Sequence, residues 1–139
     1  MAFEMIIPRR IISMAFVFYN PNPSNIRVGD CSVRAISRIL DKDWEDAYIA
    51  LCAEGLMYKD MPTSAYVIGM YLKKRGYIQK FIPNICPACT TVSKFAEEHP
   101  SGKFIAVTEE HMVAIVDGDY YDSWDSGGEI VLYYYMEEM

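Results

Sequence analysis

Apolar residues change their spacing along this chain, and the change separates a helical part from a strand part. From position 31 to 98 they recur every three or four residues, the period of an amphipathic helix, and from 103 to 135 they form short runs between tight turns. Helices that precede strands predict an α+β fold. The predicted helices are 31–40, 43–55, 62–76 and 90–98, and the predicted strands are 11–19, 77–82, 103–108, 111–116, 120–124 and 130–135.

Local signals define the ends of these helices. Asp30 is a natural N-cap for the first helix and Asp43 starts the second, which Gly55 is expected to stop. Pro62 suits the first turn of the third helix, and the basic residues and glycine of 73–76 suit its end.

Length and charge limit the class of protein. A chain of 139 residues can form one domain with a sizeable core. Its net charge of -6 and sequence pI near 4.8 argue against a nucleic-acid partner. No apolar run approaches the ~20 residues of a membrane span, so no membrane partner is expected. Four cysteines in a chain of this length favour a reducing compartment, hence a cytoplasmic location.

The N-terminal residues raise a separate question. Arg9-Arg10 followed by apolar residues 11–18 resembles part of a signal peptide, but Pro8 and the lack of a small-residue cleavage site argue against one. Met14 is an alternative start. We therefore predict that residues 1–13 are an extension outside the core and that 14–139 form the domain.

Cys31 is the first candidate for chemistry, because it lies where a loop becomes a helix. In the first helical turn, unpaired backbone N–H groups and the positive end of the helix dipole favour a thiolate. A nucleophilic cysteine also needs a base and a group that orients the base. The segment 111–124 supplies candidates for both.

The geometry of a hairpin connects those candidates. Asp117-Gly118 is the strongest signal for a two-residue turn. With that turn, the alternation of side chains puts His111, Asp122 and Trp124 on the same face of the sheet. A three-residue turn would bring Asp125 to that face instead. We favour Asp122 as the residue that orients His111.

These residues also carry a resemblance to a known superfamily. The segment 111–116, followed by Asp122-Ser123-Trp124, resembles the base strand and the Asn-Ser-Trp segment of papain-like cysteine peptidases, with aspartate in place of asparagine. Asn25 precedes Cys31 by the spacing of the oxyanion-hole glutamine in that superfamily. The Asp30-Cys31 pair and the aspartate resemble more closely the bacteriocin-leader peptidases and small related proteins of bacteriophages. The resemblance covers most of residues 18 to 135.

The resemblance implies a fold and a role for each site residue. The fold is a papain-like α+β domain, with an N-terminal helical half that contains the nucleophile helix packed on a C-terminal antiparallel sheet. Cys31 is the nucleophile, His111 the base and Asp122 the residue that orients it, while Asn25 contributes to an oxyanion hole and Trp124 shields the His-Asp pair. A bacteriophage origin would place the protein in the host cytoplasm.

Three residues depart from the superfamily pattern. Asn25 is one methylene shorter than glutamine, so it reaches an oxyanion only if the loop brings it closer. Val33 replaces the tryptophan that follows the nucleophile in papain-type endopeptidases. The carboxylate of Asp30 would raise the pKa of Cys31 unless it is turned away as a helix cap.

The function predicted from these features is a cysteine peptidase or amidase that acts on a peptide or isopeptide bond of a peptide or protein substrate, without a cofactor or metal. Two alternatives remain: an inactive papain-fold module that binds peptides, and a cysteine-dependent acyltransferase. The oligomeric state stays open, because the apolar stretch 133–135 suits a core, a groove wall or a dimer contact equally well.

The remaining cysteines allow several interpretations. Cys52 falls on the buried side of the second helix and is expected to be inert. Cys86 and Cys89 form a Cys-x-x-Cys motif. We favour two structural thiols here; the alternatives are a stabilising disulfide or bound metal, and a redox-active site. A metal would need two further ligands, for which Cys52 and His99 are the candidates.

Overall fold

The computed structural model describes residues 15–85 and 87–138. Within these ranges the chain is an α+β protein with helices α1 to α4 and strands β1 to β6, as the spacing of apolar residues predicts. The helices are α1 Cys31–Leu40, α2 Trp44–Tyr58, α3 Ala65–Lys74 and α4 Val92–Glu98, and the strands are β1 Phe16–Phe18, β2 Tyr77–Phe81, β3 Lys103–Val107, β4 Met112–Val116, β5 Asp119–Asp122 and β6 Tyr133–Glu137. The predicted extension 1–13 lies outside the described residues. No described helix has the length and apolar character needed to cross a membrane.

The strands form one sheet in the order β1-β5-β4-β3-β6-β2. β1 runs parallel to β5, and the other neighbours are antiparallel. The sheet is therefore mixed, whereas the prediction was purely antiparallel. Because β1 ends beside β5, with Tyr19 N donating to the carbonyl of Asp122 at 2.7 Å, the loop that follows β1 starts next to the end of β5.

Both faces of this sheet are covered. On one face, α1, α2 and α3 pack over a core that includes Ile105, Ala114 and Val116. On the other face, α4 packs over Phe104 and the alternate residues of β4. The prediction placed the helices in one half against the sheet, and the position of α4 corrects it. Every residue of β4 is buried, so both of its faces need a covering layer.

The turn between β4 and β5 has the predicted length. Val116 pairs with Asp119, which leaves Asp117-Gly118 as a two-residue turn. Both residues have positive φ, 51° and 87°, as this tight turn requires. The Asp117 carboxylate also accepts a hydrogen bond from the Gly102 amide at 2.9 Å. The register on which the side-chain alternation depends is thus confirmed.

Two helix ends differ from the prediction. α3 begins at Ala65 rather than near Pro62, because the hydroxyl of Ser64 accepts a hydrogen bond from Val67 N and caps it. α2 continues past Gly55 to Tyr58. A Cβ at Gly55 would lie 2.7 Å from the carbonyl oxygen of Asp60, so this glycine permits the chain to fold back over the helix rather than ending it.

The last strand also starts later than predicted. β6 begins at Tyr133, while Ile130 forms only an isolated bridge with Thr91. In β6, Tyr135 belongs to the buried core beneath α1 to α3, and Tyr133 packs partly buried against it. Of the three interpretations left open for 133–135, core packing is therefore shown for Tyr135, while Tyr133 both packs against the core and lines a cleft.

Candidate active site

Cys31 is the first residue of α1. Asp30 occupies the N-cap position, but its side chain makes no capping hydrogen bond. Its carboxylate instead contacts Arg34 on the next turn of the helix and accepts a hydrogen bond from Trp44 Nε1 at 2.8 Å. The predicted N-cap position is therefore confirmed, but the capping hydrogen bond is absent, because an arginine and an indole compete successfully for the carboxylate. Pairing with Arg34 offsets the negative charge that Asp30 places beside the thiol.

His111 and Asp122 meet across the β4–β5 hairpin. His111 directly precedes β4, and Asp122 ends β5. The distance from His111 Nε2 to Asp122 Oδ2 is 2.6 Å, and the Asp122 side chain is only 1% exposed. With Nε2 committed to Asp122, Nδ1 is the ring nitrogen that remains for Cys31. The structure thus brings together the three residues to which the sequence assigned catalytic roles.

Cys31 and His111 line the same cleft, and each shifts the pKa of the other. Burial favours the neutral thiol, but the interaction with His111, a hydrogen bond from the Met112 backbone and the positive charges of His111 and Arg34 together lower the pKa of Cys31 below its ordinary value. Cys31 is half-buried, so it combines a stabilised thiolate with access from solvent. These are the properties of a reactive rather than a structural cysteine.

The imidazole of His111 has the opposite shift. Burial disfavours its charged form, yet the hydrogen bond with Asp122, the interaction with Cys31 and the negative charges of both residues raise its pKa to about 9. When the pKa of a thiol is lowered and that of a neighbouring imidazole is raised, the proton moves from sulfur to nitrogen near neutral pH. The pair is then a thiolate beside an imidazolium. The site can therefore hold Cys31 as a thiolate and His111 as an imidazolium.

Asp122 is held by donors on both of its oxygens. Oδ1 accepts from Arg34 at 2.9 Å and from the Ser123 amide at 2.8 Å, and Oδ2 accepts from His111 and from the Ser126 hydroxyl at 2.5 Å. Burial would raise the pKa of this carboxyl, but the hydrogen bonds and the positive charge of His111 lower it. Asp122 is an ionised and fixed partner for His111.

Arg34 and Ser126 are members of this site that the sequence interpretation missed. Arg34 lies four residues after Asp30, which is the spacing of an ion pair on a helix, and that spacing was the available signal. Ser126 follows β5 in an irregular segment, where the sequence offers no register from which to predict its contact.

The alternative third residue, Asp125, has another partner. Its carboxylate accepts a hydrogen bond from the Tyr120 hydroxyl at 2.5 Å and one from the Gly127 amide. Burial and this contact raise the pKa of Tyr120 well above its ordinary range. Asp125 therefore stabilises the segment after β5, and the two-residue turn leaves Asp122 to face His111.

Trp124 lies against the base. Its ring centroid is 5.0 Å from that of His111, with the planes inclined at 39°, and the side chain is 37% exposed. The indole thus covers part of the imidazole while its outer side faces solvent. The position agrees with the shielding role that the resemblance implies, and the role itself stays a prediction.

Asn25 is the one predicted site residue that the structure does not bring to the others. It is exposed, has a left-handed backbone with φ 58°, and its amide N–H closes a turn onto the carbonyl of Asn22. It is not among the described residues that line the cleft around Cys31. An oxyanion role for Asn25 would require the loop to move and stays a prediction.

A cleft with a volume of about 390 Å³ opens over Cys31 and His111. Thr63, Ala65 and Ile68 form one side of it, and Leu132 with Tyr133 contributes to its wall. Glu109 and Glu110, which are exposed, line it next to His111. A second cavity of about 510 Å³ lies between α3 and strands β2 and β6 and shares Ala65 with the cleft.

Among the described residues, Cys52 and Cys89 do not line this cleft. Cys52 is a half-buried free thiol in α2, more exposed than predicted. Cys89 is disulfide-bonded, which overturns the favoured interpretation of two structural thiols at this motif, while Cys86 lies outside the described residues. Among the described residues, no group of three or more histidine, cysteine and acidic side chains is arranged to hold a metal ion.

Comparisons with protein-family models, with curated proteins and with solved structures gave no match to this chain.

Proposed function

We propose that this chain is a papain-like cysteine hydrolase, a peptidase or amidase that cleaves a peptide or isopeptide bond. One observation carries the proposal: Cys31 and His111 line the same cleft and shift each other's pKa, and His111 is hydrogen-bonded to the buried carboxylate of Asp122. A bacteriophage origin and a place in the host cytoplasm belong to the proposal as implications of the resemblance alone.

The geometry supports a two-step reaction. The Cys31 thiolate attacks the carbonyl carbon of the substrate, and the imidazolium of His111 gives its proton to the leaving amine as the C–N bond breaks. The acyl group is then a thioester on Cys31. His111, now neutral, removes a proton from water, whose oxygen attacks the thioester, and the acid leaves as the thiolate re-forms. Asp122 keeps the imidazole oriented through both steps.

Backbone donors at the start of α1 are suited to stabilise the oxyanion. The first helical hydrogen bond runs from Arg34 N to the carbonyl of Asp30 at 2.9 Å. The N–H groups of Cys31, Ser32 and Val33 precede it and have no partner within the helix. A well-placed donor of this kind contributes about 3 to 4 kcal/mol to the stability of the transition state.

The size of the cleft supports a peptide as the substrate. The cleft and the second cavity are adjacent, since Ala65 lines both, and we expect an extended chain whose reacting bond lies at Cys31 to reach from one toward the other. Aromatic side chains occur in both, with Tyr133 in the first and Tyr135 in the second. These walls suit an extended substrate with several side chains better than a small acyl donor.

Alkylation by iodoacetamide, read at each cysteine by peptide mass spectrometry, tests the nucleophile. Near neutral pH, Cys31 should react faster than Cys52, which serves as the internal control. In His111→Ala the reaction of Cys31 should slow and its apparent pKa should rise toward the free value of about 8.5, with Cys52 unchanged. Equal rates in parent and variant would contradict the proposal.

Turnover requires a second assay. The parent should cleave members of a synthetic peptide library in a mass-spectrometric screen, and Cys31→Ala and His111→Ala should not. A reactive Cys31 that forms an acyl adduct and releases it only to an added amine would indicate the acyltransferase. Binding without cleavage, combined with a slow Cys31, would indicate the inactive peptide-binding module.

A further inference from the structure

Arg34 is a buried charge that the proposed reaction does not use. It lies on α1, less than one turn after Cys31, and is only 5% exposed. Burying a guanidinium is unfavourable unless carboxylates and hydrogen bonds compensate it. Its partners therefore show what it does in the fold.

Those partners come from the site itself. Arg34 Nη1 contacts Asp30 Oδ1, and Arg34 Nη2 donates to Asp122 Oδ1 at 2.9 Å. Trp44 Nε1 donates to the other oxygen of Asp30 at 2.8 Å. Arg34 thus bridges the residue before the nucleophile to the residue that orients the base, and Trp44 adds α2 to the same group. We call Asp30, Arg34 and Asp122 the buried charge network.

We propose, on the basis of the function proposed above, that Arg34 is a positioning residue that aligns Asp122 with His111 and holds the first turn of α1, with Cys31, against the end of β5. The alignment follows from the two oxygens of Asp122. With Arg34 and the Ser123 amide on Oδ1, the other oxygen is left to face His111 and Ser126. Without Arg34, the carboxylate loses its strongest donor on the side away from the imidazole.

The buried charge network also sets the charge around the thiol. Asp30 and Arg34 carry opposite charges close to Cys31, so each offsets the effect of the other. Four further titratable groups surround the site. His111 and its partner Asp122 lie on the β4–β5 hairpin, and Glu109 and Glu110 line the cleft next to His111. Removal of Arg34 leaves Asp30 uncompensated beside the thiolate, and removal of the Asp30 charge has the reverse effect.

This reversal distinguishes positioning and charge from a merely structural role. In Arg34→Met the apparent pKa of Cys31, measured by the pH dependence of alkylation, should rise by about one unit, which slows alkylation below that pKa about tenfold. In Asp30→Asn the apparent pKa of Cys31 should fall, because the negative charge beside the thiolate is removed while Arg34 remains. If Arg34 only held the helix in place, the apparent pKa of Cys31 would rise in both variants, because both substitutions loosen the same contacts.

Matched variants complete the test. Arg38→Met removes a charge from the same helix, where the guanidinium lies 4.3 Å from the Tyr121 ring centroid, and should leave Cys31 at the parent value. Arg34→Lys should recover part of the shift, since it keeps the charge but loses the two-pronged geometry. If Arg34→Met fails to fold, the double variant Asp30→Asn/Arg34→Met compared with Asp30→Asn measures the same removal with one less buried charge.

The outcomes separate this inference from the function on which it rests. If His111→Ala slows Cys31 but Arg34→Met leaves its pH profile unchanged, or if Arg34→Met and Asp30→Asn shift it in the same direction, the role of Arg34 is overturned and the cysteine hydrolase stands. If His111→Ala has no effect on Cys31, both proposals fall.

Discussion

Asp122→Asn is the substitution that most directly tests the coupling of His111 to its carboxylate. Asparagine keeps the shape of the side chain but removes its charge and one acceptor. The position now occupied by Oδ2, 2.6 Å from His111 Nε2, becomes either a neutral oxygen or an NH2 group that opposes the ring N–H. The imidazole loses its charged partner while the burial that disfavours protonation remains.

The magnitude follows from the pKa of His111. The value is about 9 against an ordinary 6.5. At 1.36 kcal/mol per pKa unit, the difference corresponds to ~3.4 kcal/mol in favour of the charged ring, to which Asp122 and Cys31 both contribute. Removal of the Asp122 charge should therefore lower the pKa of His111 by about two units. Turnover should fall steeply, by up to about 10⁴, the loss known for the equivalent change in a serine-protease triad.

Nuclear magnetic resonance can measure this directly, because the chain has only two histidines. His99 is the internal control. It ends α4, its Nδ1 lies 2.7 Å from the Phe95 carbonyl oxygen and its ring stacks on Phe95, so these contacts do not involve Asp122. The titration midpoint of His111 should move in Asp122→Asn, measured against the His99 resonances of the same sample. An unchanged midpoint for His111 would refute the reasoning.

Three further predictions concern acid stability, core packing and the indole. Because the folded pKa of Asp122 lies below its ordinary 3.8, the stability it contributes is present above that pH and should be lost as pH falls through the folded value. In Asp122→Asn, the free energy of unfolding measured by chemical denaturation should therefore depend less on pH in this acid range. Gly55→Ala should reduce the free energy of unfolding by about 1 to 3 kcal/mol in urea, since its Cβ would meet Asp60 O, without changing the alkylation profile of Cys31. Trp124→Ala should destabilise the orientation of His111 and lower turnover about tenfold, with circular dichroism unchanged; full turnover would exclude a shielding role.

Those features of the site that depend on local rules could be predicted from the sequence. The Asp117-Gly118 signal specified a two-residue turn, and the alternation of side chains then selected Asp122 over Asp125 without knowledge of the tertiary fold. Likewise, the change from loop to amphipathic helix placed Cys31 in the first turn of α1. Turn geometry and the alternation of side chains along a strand depend on only a few neighbouring residues, so both can be predicted from the sequence.

Features that depend on contacts distant in sequence could not be predicted in the same way. The cap expected from Asp30 is replaced by Arg34 and Trp44, and Trp44 lies on another helix. Arg34 meets Asp122 across 88 positions of sequence, and no local pattern reports that contact. The position of α4 opposite the other helices follows from the burial of β4 on both faces. A continuous apolar run in the sequence suggests this burial but does not say which element supplies the cover.

Proton counting shows why the tests of this site must address Cys31 and His111 individually. Between the ordinary pKa values of an imidazole and a thiol, the unfolded chain has a protonated thiol and a neutral imidazole, which is one proton for the pair. Wherever the folded pair is a thiolate beside an imidazolium, it also has one proton, now on the imidazole. The slope of stability against pH follows the difference in bound protons, so the transfer from sulfur to nitrogen leaves that slope at zero. Within this range, denaturation curves cannot distinguish a thiolate beside an imidazolium from a thiol beside a neutral ring, because both hold one proton. Alkylation rates and imidazole resonances distinguish them, because each depends on the protonation of one atom.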